Sequence, residues 1–450
     1  MYKLQYIRLG FANNSSSTHS IVILNKSTSD NFEDGDDYGW QKFLLVSKEE
    51  KAKYFASQTN YVFGPSIGNA SNVISGNYFG TEAGSKIDHQ SIFALPELRN
   101  GEKAFDFFKD IGCRIINDNR IGIYGGNDNS DEDLTYKELN IPFRHLYDGW
   151  LARKEKDETW ILFNVITGTK IRLAVDLLKN TTNRKSDTPE LVDVKITDNC
   201  ISNCTFCYQN SSPNGKHANL NDIENIAIAL DKLNVFEVVL GGGEPTNHPD
   251  FIKIIKLFRK YNIVPSFTTR NISWFNDLKF CKKIRDNIGS VALSCTSLED
   301  LKRYESALEN LGKSEVYLKT TYQFIVGLPG LNIKEILLYM INNKIYRNIS
   351  LVGYKQTGRA VLPGEEINVE ELSNLMRFNW SYINVDTAFL KSYPSFVQQK
   401  TCETKEGLNS IYIDAVTKTV RESSYTGVPW IVDFDKEDLA KRINDIFEKI

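Results

Sequence analysis

The strongest constraint on this chain is the spacing of three cysteines in the segment DNCISNCTFCYQ. Cys200, Cys204 and Cys207 follow the pattern CxxxCxxC, directly after the apolar run LVDVKIT. Three thiolates on one short loop can hold three irons of a cubane iron–sulfur cluster, which has four irons. The spacing therefore predicts a [4Fe–4S] cluster with one iron that the loop leaves open.

A structural zinc site is the alternative interpretation of the same cysteines. Such a site closes its tetrahedron with a fourth Cys or His, which usually belongs to a matching second pair. The remaining cysteines form no such pair; they are Cys113, Cys281, Cys295 and Cys402. The pattern favours a cluster over zinc.

The segment GGGEPT is the second signal. It follows the apolar run VFEVVL, and it places three glycines directly before Glu244. Glycines without Cβ let backbone carbonyls approach a small ligand closely, and a carboxylate can pair with an ammonium group. The plainer alternative is a glycine-rich turn at the end of a strand.

Together the two motifs resemble those of the radical S-adenosylmethionine (SAM) enzymes. The resemblance implies a [4Fe–4S] cluster on the three cysteines, with SAM chelating the open iron through its amino and carboxyl groups. It also implies that Phe206 lies against the adenine of SAM and that Glu244 binds the methionyl amine. Gly242 and Gly243 complete the GGE motif of that family.

Composition narrows the class of protein. The 450 residues carry a formal net charge of -3 and a pI near 6.1, which do not favour nucleic acid as a partner. No apolar run approaches the ~20 residues of a membrane span, and the N-terminus lacks a signal-peptide pattern. An odd number of cysteines, seven, with three of them on one loop, suits a reducing compartment. We therefore expect a cytoplasmic protein.

The first part of the chain, residues 1–185, is expected to be an α+β domain that binds substrate or peptide. FANNSSSTHS is predicted to be a polar turn, and the Asp- and Gly-rich segments to be solvated turns rather than a calcium site. GEKAFDFFKDIG is predicted to be helical. TWILFNVITGTKIRLAVDLL predicts a strand, a Gly turn, a second strand and a short helix. This last segment resembles one that precedes the core of several peptide-modifying radical SAM enzymes.

From residue 186 to 362 the pattern alternates strand and helix, which predicts an α/β fold with a parallel sheet. Six such units predict a partial (βα)6 TIM-type barrel, the fold of the radical SAM core. The first helix, NLNDIENIAIALDKLN, is expected to begin with a capping box of Asn221 and Glu224. In parallel barrels the chemistry lies at the C-terminal ends of the strands.

The resemblance assigns further SAM contacts to strand ends. They are Thr268, Arg270 and Ser294 for the ribose and carboxylate, and Gly327, Val352 and Gly353 for the adenine. Thr and Ser at strand ends also cap the next helix, which is the structural alternative. Lys355 and Arg359 are expected either to face the substrate entrance or to be solvated cations. Cys295 is interpreted as a core residue rather than a catalytic thiol.

Residues 363–450 are expected to form a C-terminal extension. The segment from Cys402 to Tyr412-Ile413-Asp414 resembles the start of the region that holds a second cluster in some radical SAM enzymes. No second cysteine follows, so we predict a hairpin without an auxiliary cluster. The last segment, KEDLAKRINDIFEKI, is predicted to be an amphipathic helix that packs on the barrel.

The resemblance implies reductive cleavage of SAM to a 5'-deoxyadenosyl radical that abstracts hydrogen from a substrate. The expected substrate is a peptide or protein side chain, and the expected electron donor is external, such as flavodoxin or ferredoxin. The alternatives are a radical SAM enzyme that acts on a small nucleoside or sugar, and a non-catalytic iron–sulfur module.

Overall fold

A computed structural model describes most of the second half of the chain and parts of the first. The described residues are 18–24, 37–38, 43–63, 86–87, 97–98, 112–113, 115–117, 121–126, 139–144, 150–157, 159–166, 168, 170–173, 184–311, 319–345, 347–377, 383–396, 405–436 and 438–450. The chain divides into two compact units, Met1–Thr181 and Thr182–Ile450.

The first unit is mainly antiparallel sheet. Its elements are β1 (Thr18–Leu24), β2 (Asp37–Tyr38), β3 (Phe43–Leu45), α1 (Lys48–Phe63), β4 (Lys86–Ile87), β5 (Glu97–Leu98), β6 (Ile121–Gly126), β7 (Leu139–Arg144), β8 (Trp150–Lys154), β9 (Trp160–Asn164) and β10 (Lys170–Leu173). One sheet has the order β3-β6-β1-β7, and another has the order β10-β9-β8-β5.

Two predictions for this unit can be compared with the structure. The strand–turn–strand expected in TWILFNVITGTKIRL is confirmed, because β9 and β10 pair antiparallel. The short helix expected after it lies outside the described residues. The expected polar turn at Thr18 and His19 is wrong, because both residues pair with β6 as part of β1. Ser15, Cys402 and the helix expected in GEKAFDFFKDI lie outside the described residues.

The second unit contains a ten-stranded sheet covered by helices. Its elements are β11 (Leu191–Thr197), α2 (Leu220–Lys232), β12 (Glu237–Gly242), α3 (Phe251–Lys260), β13 (Val264–Thr269), α4 (Leu278–Arg285), β14 (Val291–Cys295), α5 (Leu298–Asn310), β15 (Thr320–Val326), α6 (Ile333–Asn342), β16 (Asn348–Gly353), α7 (Val369–Arg377), β17 (Ile383–Val385), α8 (Thr387–Ser392), β18 (Ser410–Asp414), β19 (Thr419–Arg421), β20 (Trp430–Ile431) and α9 (Leu439–Lys449).

The strands β11 to β16 are parallel and lie side by side in chain order, as the predicted (βα)6 partial barrel requires. β17 continues the sheet beyond β16, and β18 pairs parallel with β11 on the other side. β18 and β19 form the expected hairpin. The segment after residue 362 thus contributes strands to the same sheet as the core.

The two faces of this sheet differ in polarity. On β11, Val192, Val194 and Ile196 are fully buried in one hydrophobic cluster with the residues of α2 and α3. Asp193 lies between Val192 and Val194 on β11, and Glu237 is at the start of β12. Both residues are only partly buried. Because side chains alternate across a strand, these residues point to the face opposite the helices. The inner face of the partial barrel is therefore polar.

Helix boundaries follow local capping chemistry. α2 begins after Asn219, whose side chain accepts a hydrogen bond from the Asn221 N–H. The capping box expected at Asn221 and Glu224 is therefore wrong by two residues, because the preceding asparagine satisfies the free N–H groups first. α9 packs on the core through its predicted apolar face. No helix in the described part of the chain is long and apolar enough to cross a membrane.

Candidate functional site

The three cysteines of the motif lie on one loop that follows β11. All three are free and partly exposed. The loop is closed on itself by backbone hydrogen bonds: the Cys200 N–H donates to the Ser212 carbonyl at 2.9 Å, and the Cys207 N–H donates to the Cys204 carbonyl at 3.3 Å. These bonds hold the thiols on a defined backbone and leave their sulfurs partly open to a ligand.

Arg359 fixes this loop from the neighbouring segment after β16. Its Nε donates to the Cys204 carbonyl at 3.1 Å and its Nη1 to the Ser211 carbonyl at 2.7 Å. Its own N–H donates to the Cys207 carbonyl at 3.0 Å. Both expectations for Arg359, a substrate-facing cation or a solvated one, are corrected, because its guanidinium is used to hold the cysteine loop.

Gly358 explains how that segment comes so close. Its φ is +61°, and a Cβ at this position would stand 2.6 Å from the Cys207 carbonyl oxygen. Glycine is required both by the left-handed backbone and by the close contact.

The donor set suits a cubane cluster. Three thiols come from one loop, and within the described residues no group of three or more His, Cys, Asp or Glu side chains is arranged to hold a single metal ion. A cubane places each thiolate on a different iron, so its ligands need not converge on one point. Cys200, Cys204 and Cys207 are thus the residues that would hold a cluster.

The glycine turn packs against the cysteine loop. A Cβ on Gly242 would lie 2.2 Å from the Thr197 carbonyl oxygen, and one on Gly243 would lie 2.3 Å from that of Asn199. The expected reason for these glycines was access for a ligand, but here the chain's own backbone requires them. Gly241, which was not among the predicted site residues, is different, because a Cβ there would meet nothing within 4 Å. It borders open space at the inner end of β12.

Glu244 is buried, with 3% of its surface exposed, and its carboxylate joins two strand ends. Oε1 accepts hydrogen bonds from the hydroxyls of Thr246 and Thr269, each at 2.7 Å. Oε2 accepts from the N–H groups of Arg270 at 3.1 Å and Asn271 at 3.3 Å. A carboxylate offers about four acceptor positions, so a ligand ammonium would have to replace one of these donors.

Arg270 connects this turn to the cysteine loop. Its Nη1 donates to the Cys204 Sγ at 3.2 Å, and its Nη2 pairs with Asp300 Oδ2 at 2.7 Å. Its guanidinium lies 5.9 Å from the centre of the Phe206 ring. Burial acts to lower the pKa of Arg270, but Asp300 and Cys204 outweigh it and raise that pKa, so the side chain stays a cation.

Asp300 is a site residue that the sequence did not reveal. It also accepts hydrogen bonds from the N–H and hydroxyl of Thr296, at 3.0 and 2.8 Å. In the sequence Ser297 and Asp300 have the spacing of a helix cap, and Ser297 does cap α5. Because helix capping already accounts for this spacing, the sequence gives no sign of the ion pair with Arg270.

The predicted residues on β14 are less accessible. Ser294 is 7% exposed, and its carbonyl accepts a hydrogen bond from the Tyr304 hydroxyl at 3.0 Å. Cys295 is fully buried, and burial raises the pKa of its thiol well above the usual range. A thiol with a raised pKa is a poor nucleophile, which agrees with a core role for Cys295.

The predicted adenine contacts form a separate group at the next strand ends. Gly327 has a φ of +85°, and its carbonyl accepts a hydrogen bond from the Glu365 N–H at 2.8 Å. The Gly353 N–H donates to Asp386 Oδ1 at 2.8 Å, and a Cβ on Gly353 would collide with Ala388 in α8. Thr268 and Val352 occupy partly buried inward positions on β13 and β16. No hydrogen bond in the described part joins this second group to Arg270 or Glu244.

Lys355 lies beside the cysteine loop in an aromatic and acidic environment. Its Nζ is 3.2 Å from Asp386 Oδ2, and it is 5.1 and 4.9 Å from the ring centres of Tyr208 and Tyr425. Burial acts to lower the pKa of Lys355, but Tyr208, Asp386 and Asp193 raise it above its usual range. Lys355 is therefore a fixed cation inside the fold rather than a solvated one.

Residues 194–340 match the Radical SAM superfamily. Among curated proteins the chain is similar to a probable GTP 3',8-cyclase of Pyrococcus abyssi, at 28% identity over 25% of this chain and 36% of that protein. It is also similar to the GTP 3',8-cyclase of Mannheimia succiniciproducens, at 26% identity over 36% of this chain and 50% of that protein. The chain thus spans half or less of the length of these relatives.

Two solved structures are also similar. One is Streptococcus suis SuiB bound to S-adenosylmethionine, with 15% identity and a TM-score of 0.49 over 66% of this chain and 88% of that one. The other is anSMEcpe with bound AdoMet and a Cp18Cys peptide, with 14% identity and a TM-score of 0.41 over 58% of this chain and 82% of that one.

Proposed function

The chain belongs to the radical SAM superfamily, and from this premise we propose that it is an enzyme that binds a [4Fe–4S] cluster and SAM to abstract hydrogen from a substrate. When bound, the cluster supplies the electron that breaks a carbon–sulfur bond of SAM and yields the 5'-deoxyadenosyl radical. The single observation that carries the proposal is the hydrogen-bonded unit in which Arg270 joins Cys204 to the Glu244 turn.

The residues of the site would have separate roles in binding the cluster and SAM. Cys200, Cys204 and Cys207 would hold three irons, and Arg359 would keep their loop in place. Arg270 would stabilise the Cys204 thiolate by a charged hydrogen bond. Glu244 would bind the SAM amine in exchange for one of its present donors. A Cβ on Gly241 would meet nothing within 4 Å, so the strand that leads into Glu244 borders open space.

We propose that the remaining predicted residues lie beside SAM but hold neither the cluster nor the SAM amine. Phe206 would lie against the adenine, and Thr268 and Ser294 would face the ribose. Gly327, Val352 and Gly353 would border the adenine through their backbone.

The test is anaerobic reconstitution with iron and sulfide, followed by addition of dithionite and SAM. We expect about four irons per chain and release of 5'-deoxyadenosine. Cys204→Ala should lose both. Cys281→Ala is the matched control, because that thiol is buried and bonded to the Trp274 carbonyl at 3.3 Å, away from the loop. A wild-type protein that holds the irons but releases no 5'-deoxyadenosine would contradict the proposal and favour a non-catalytic iron–sulfur module.

For the substrate, we propose a peptide or protein side chain. One supporting observation is the separate N-terminal unit, in which β9 and β10 form the strand pair expected ahead of the core. A flavodoxin or ferredoxin would supply electrons, and a reducing cytoplasm would suit the free thiols.

A nucleotide is the second candidate, because curated relatives of the core are GTP 3',8-cyclases. The two candidates are separated by incubating the reconstituted protein and SAM with GTP, or with peptides encoded by short neighbouring reading frames. A mass change in a peptide would support the first candidate. Conversion of GTP without any change in peptides would overturn it in favour of the second.

A further inference from the structure

The inner face of the partial barrel carries a carboxylate for which the fold provides no partner. Asp193 lies in the middle of β11, opposite Tyr412 of β18, and faces away from the helices. No hydrogen bond to its side chain is formed within the part of the chain that the structure describes. Burial raises the pKa of Asp193 to about 6, although Lys355 acts to lower it.

The neighbouring charges are already committed to the protein. Asp386 accepts hydrogen bonds from the N–H groups of Gly353 and Phe389, at 2.8 and 2.7 Å, and pairs with Lys355 at 3.2 Å. Glu406 accepts hydrogen bonds from the hydroxyls of Tyr425, at 2.6 Å, and Thr387. Asp386, Lys355 and Glu406 are therefore held by contacts within the protein.

The sum of the charges around Asp193 is negative. The charged groups that act on it are one cation, Lys355, and three carboxylates, those of Glu406, Asp386 and Glu237. Lys355 is offset by Asp386, to which it is directly paired. A ligand group that enters beside Asp193 therefore meets a field that attracts positive charge and repels phosphate or carboxylate.

We propose that Asp193 binds a cationic group of the substrate, a protonated amine or a guanidinium such as the end of a lysine or arginine side chain. This inference rests on the proposed function, because it concerns the same substrate site. A cation would give the unpartnered carboxylate a charge-assisted hydrogen bond and offset the cost of its burial. Polyanionic GTP would gain neither.

The test measures binding rather than turnover. The probe is Nα-acetyl-lysine N-methylamide, which carries a peptide-like backbone and a side-chain ammonium, titrated into the full-length reconstituted protein by ligand-detected NMR. Nα-acetyl-norleucine N-methylamide, which lacks the ammonium, is the matched neutral probe. We expect the lysine probe to bind at least tenfold more tightly than the neutral one.

Asp193→Asn should weaken binding of the lysine probe at least tenfold and leave the neutral probe unchanged. Glu309→Gln is the control, because Glu309 is an exposed carboxylate on the outer helix α5. Equal binding of both probes by the wild type, or undiminished binding by Asp193→Asn, would overturn the inference. Iron content and 5'-deoxyadenosine release, measured on the same samples, would show separately whether the proposed function itself fails.

Discussion

At the scale of single residues, Arg270 is the most informative side chain of the site. Its guanidinium contacts the sulfur of Cys204, the carboxylate of Asp300 and the ring of Phe206, and its backbone N–H donates to Glu244. The guanidinium holds five donors in a fixed planar arrangement, whereas a lysine ammonium has three donors that rotate. The geometry of the cysteine loop and that of the Glu244 turn therefore depend on one another through this residue.

Arg270→Gln should lower both the iron content and the rate of 5'-deoxyadenosine release, the rate by at least tenfold, because a charged hydrogen bond to a ligand sulfur contributes roughly 1.5–3 kcal/mol. Iron analysis and chromatography of the product measure the two effects. Arg303→Gln provides the comparison, since Arg303 pairs with the same Asp300 at 3.1 Å but is half exposed. Equal losses in both variants would mean that Asp300, not Cys204, is what matters.

At the scale of elements, the end of β12 and the loop after β11 are built as one unit. Two glycines let the turn touch the carbonyls of Thr197 and Asn199. The same loop is joined to the C-terminal hairpin by Lys195, which pairs with Asp198 and with Asp414 at 3.1 Å. Three segments distant in the sequence thus meet at the base of the cysteine motif.

Gly243→Ala should reduce the free energy of unfolding by about 1–3 kcal/mol, because the added Cβ would overlap the Asn199 carbonyl. Gly241→Ala should change it by less than about 0.5 kcal/mol, the usual range where no contact is disturbed. Urea unfolding followed by circular dichroism compares the two alanines directly. If both variants lost the same free energy of unfolding, the close approach of the turn to the loop would not be the cause of that loss.

Lys195→Met should destabilise the second unit by about 3–5 kcal/mol, since it leaves two aspartates facing each other without their shared cation. The side chain of Lys195 is only 7% exposed, so water cannot replace the lost charge fully. Adding Asp414→Asn to this variant should recover part of the loss, and urea unfolding of the single and double variants measures it. A single variant as stable as the wild type would show that the ion pairs do not stabilise the hairpin.

At the scale of the whole molecule, the sheet separates two environments. Its outer face is an apolar layer shared with the helices, and its inner face carries Asp193, Glu237 and Ser266. In a partial barrel, a ligand would bind on the inner face of the sheet. Stability and the proposed binding therefore place opposite demands on the inner face, because a partly buried carboxylate without a paired cation is costly to the fold.

Asp193→Asn should make the protein more stable at pH 7.5, by about 1–2 kcal/mol, with the gain disappearing towards pH 4. The sign follows from the raised pKa of Asp193, about 6 in the fold against 3.8 as the ordinary value. A carboxyl with a raised pKa prefers its neutral form in the fold, so the penalty grows as the pH rises from about 4 through 6. The charged neighbours that act on the pKa of Asp193 are Lys355, Glu406, Asp386 and Glu237.

Urea unfolding of wild type and variant between pH 4 and 8 measures this difference. If the difference in free energy of unfolding between wild type and variant stayed constant with pH, the substitution would act through packing and not through the charge of Asp193.

Four features could be predicted from the order of the amino acids: the parallel sheet, the cysteine loop, the Gly-Glu turn and the C-terminal hairpin. These features depend on residues close together in the chain, and hydrophobic periodicity and motif spacing record them locally. Three features became visible only in the folded chain: the ion pair of Arg270 with Asp300, the use of Arg359 to hold the loop, and the Asp193 carboxylate without a hydrogen-bond partner in the described residues. Each depends on strands and loops that are far apart in sequence, and a side chain's partner across that distance leaves no local pattern.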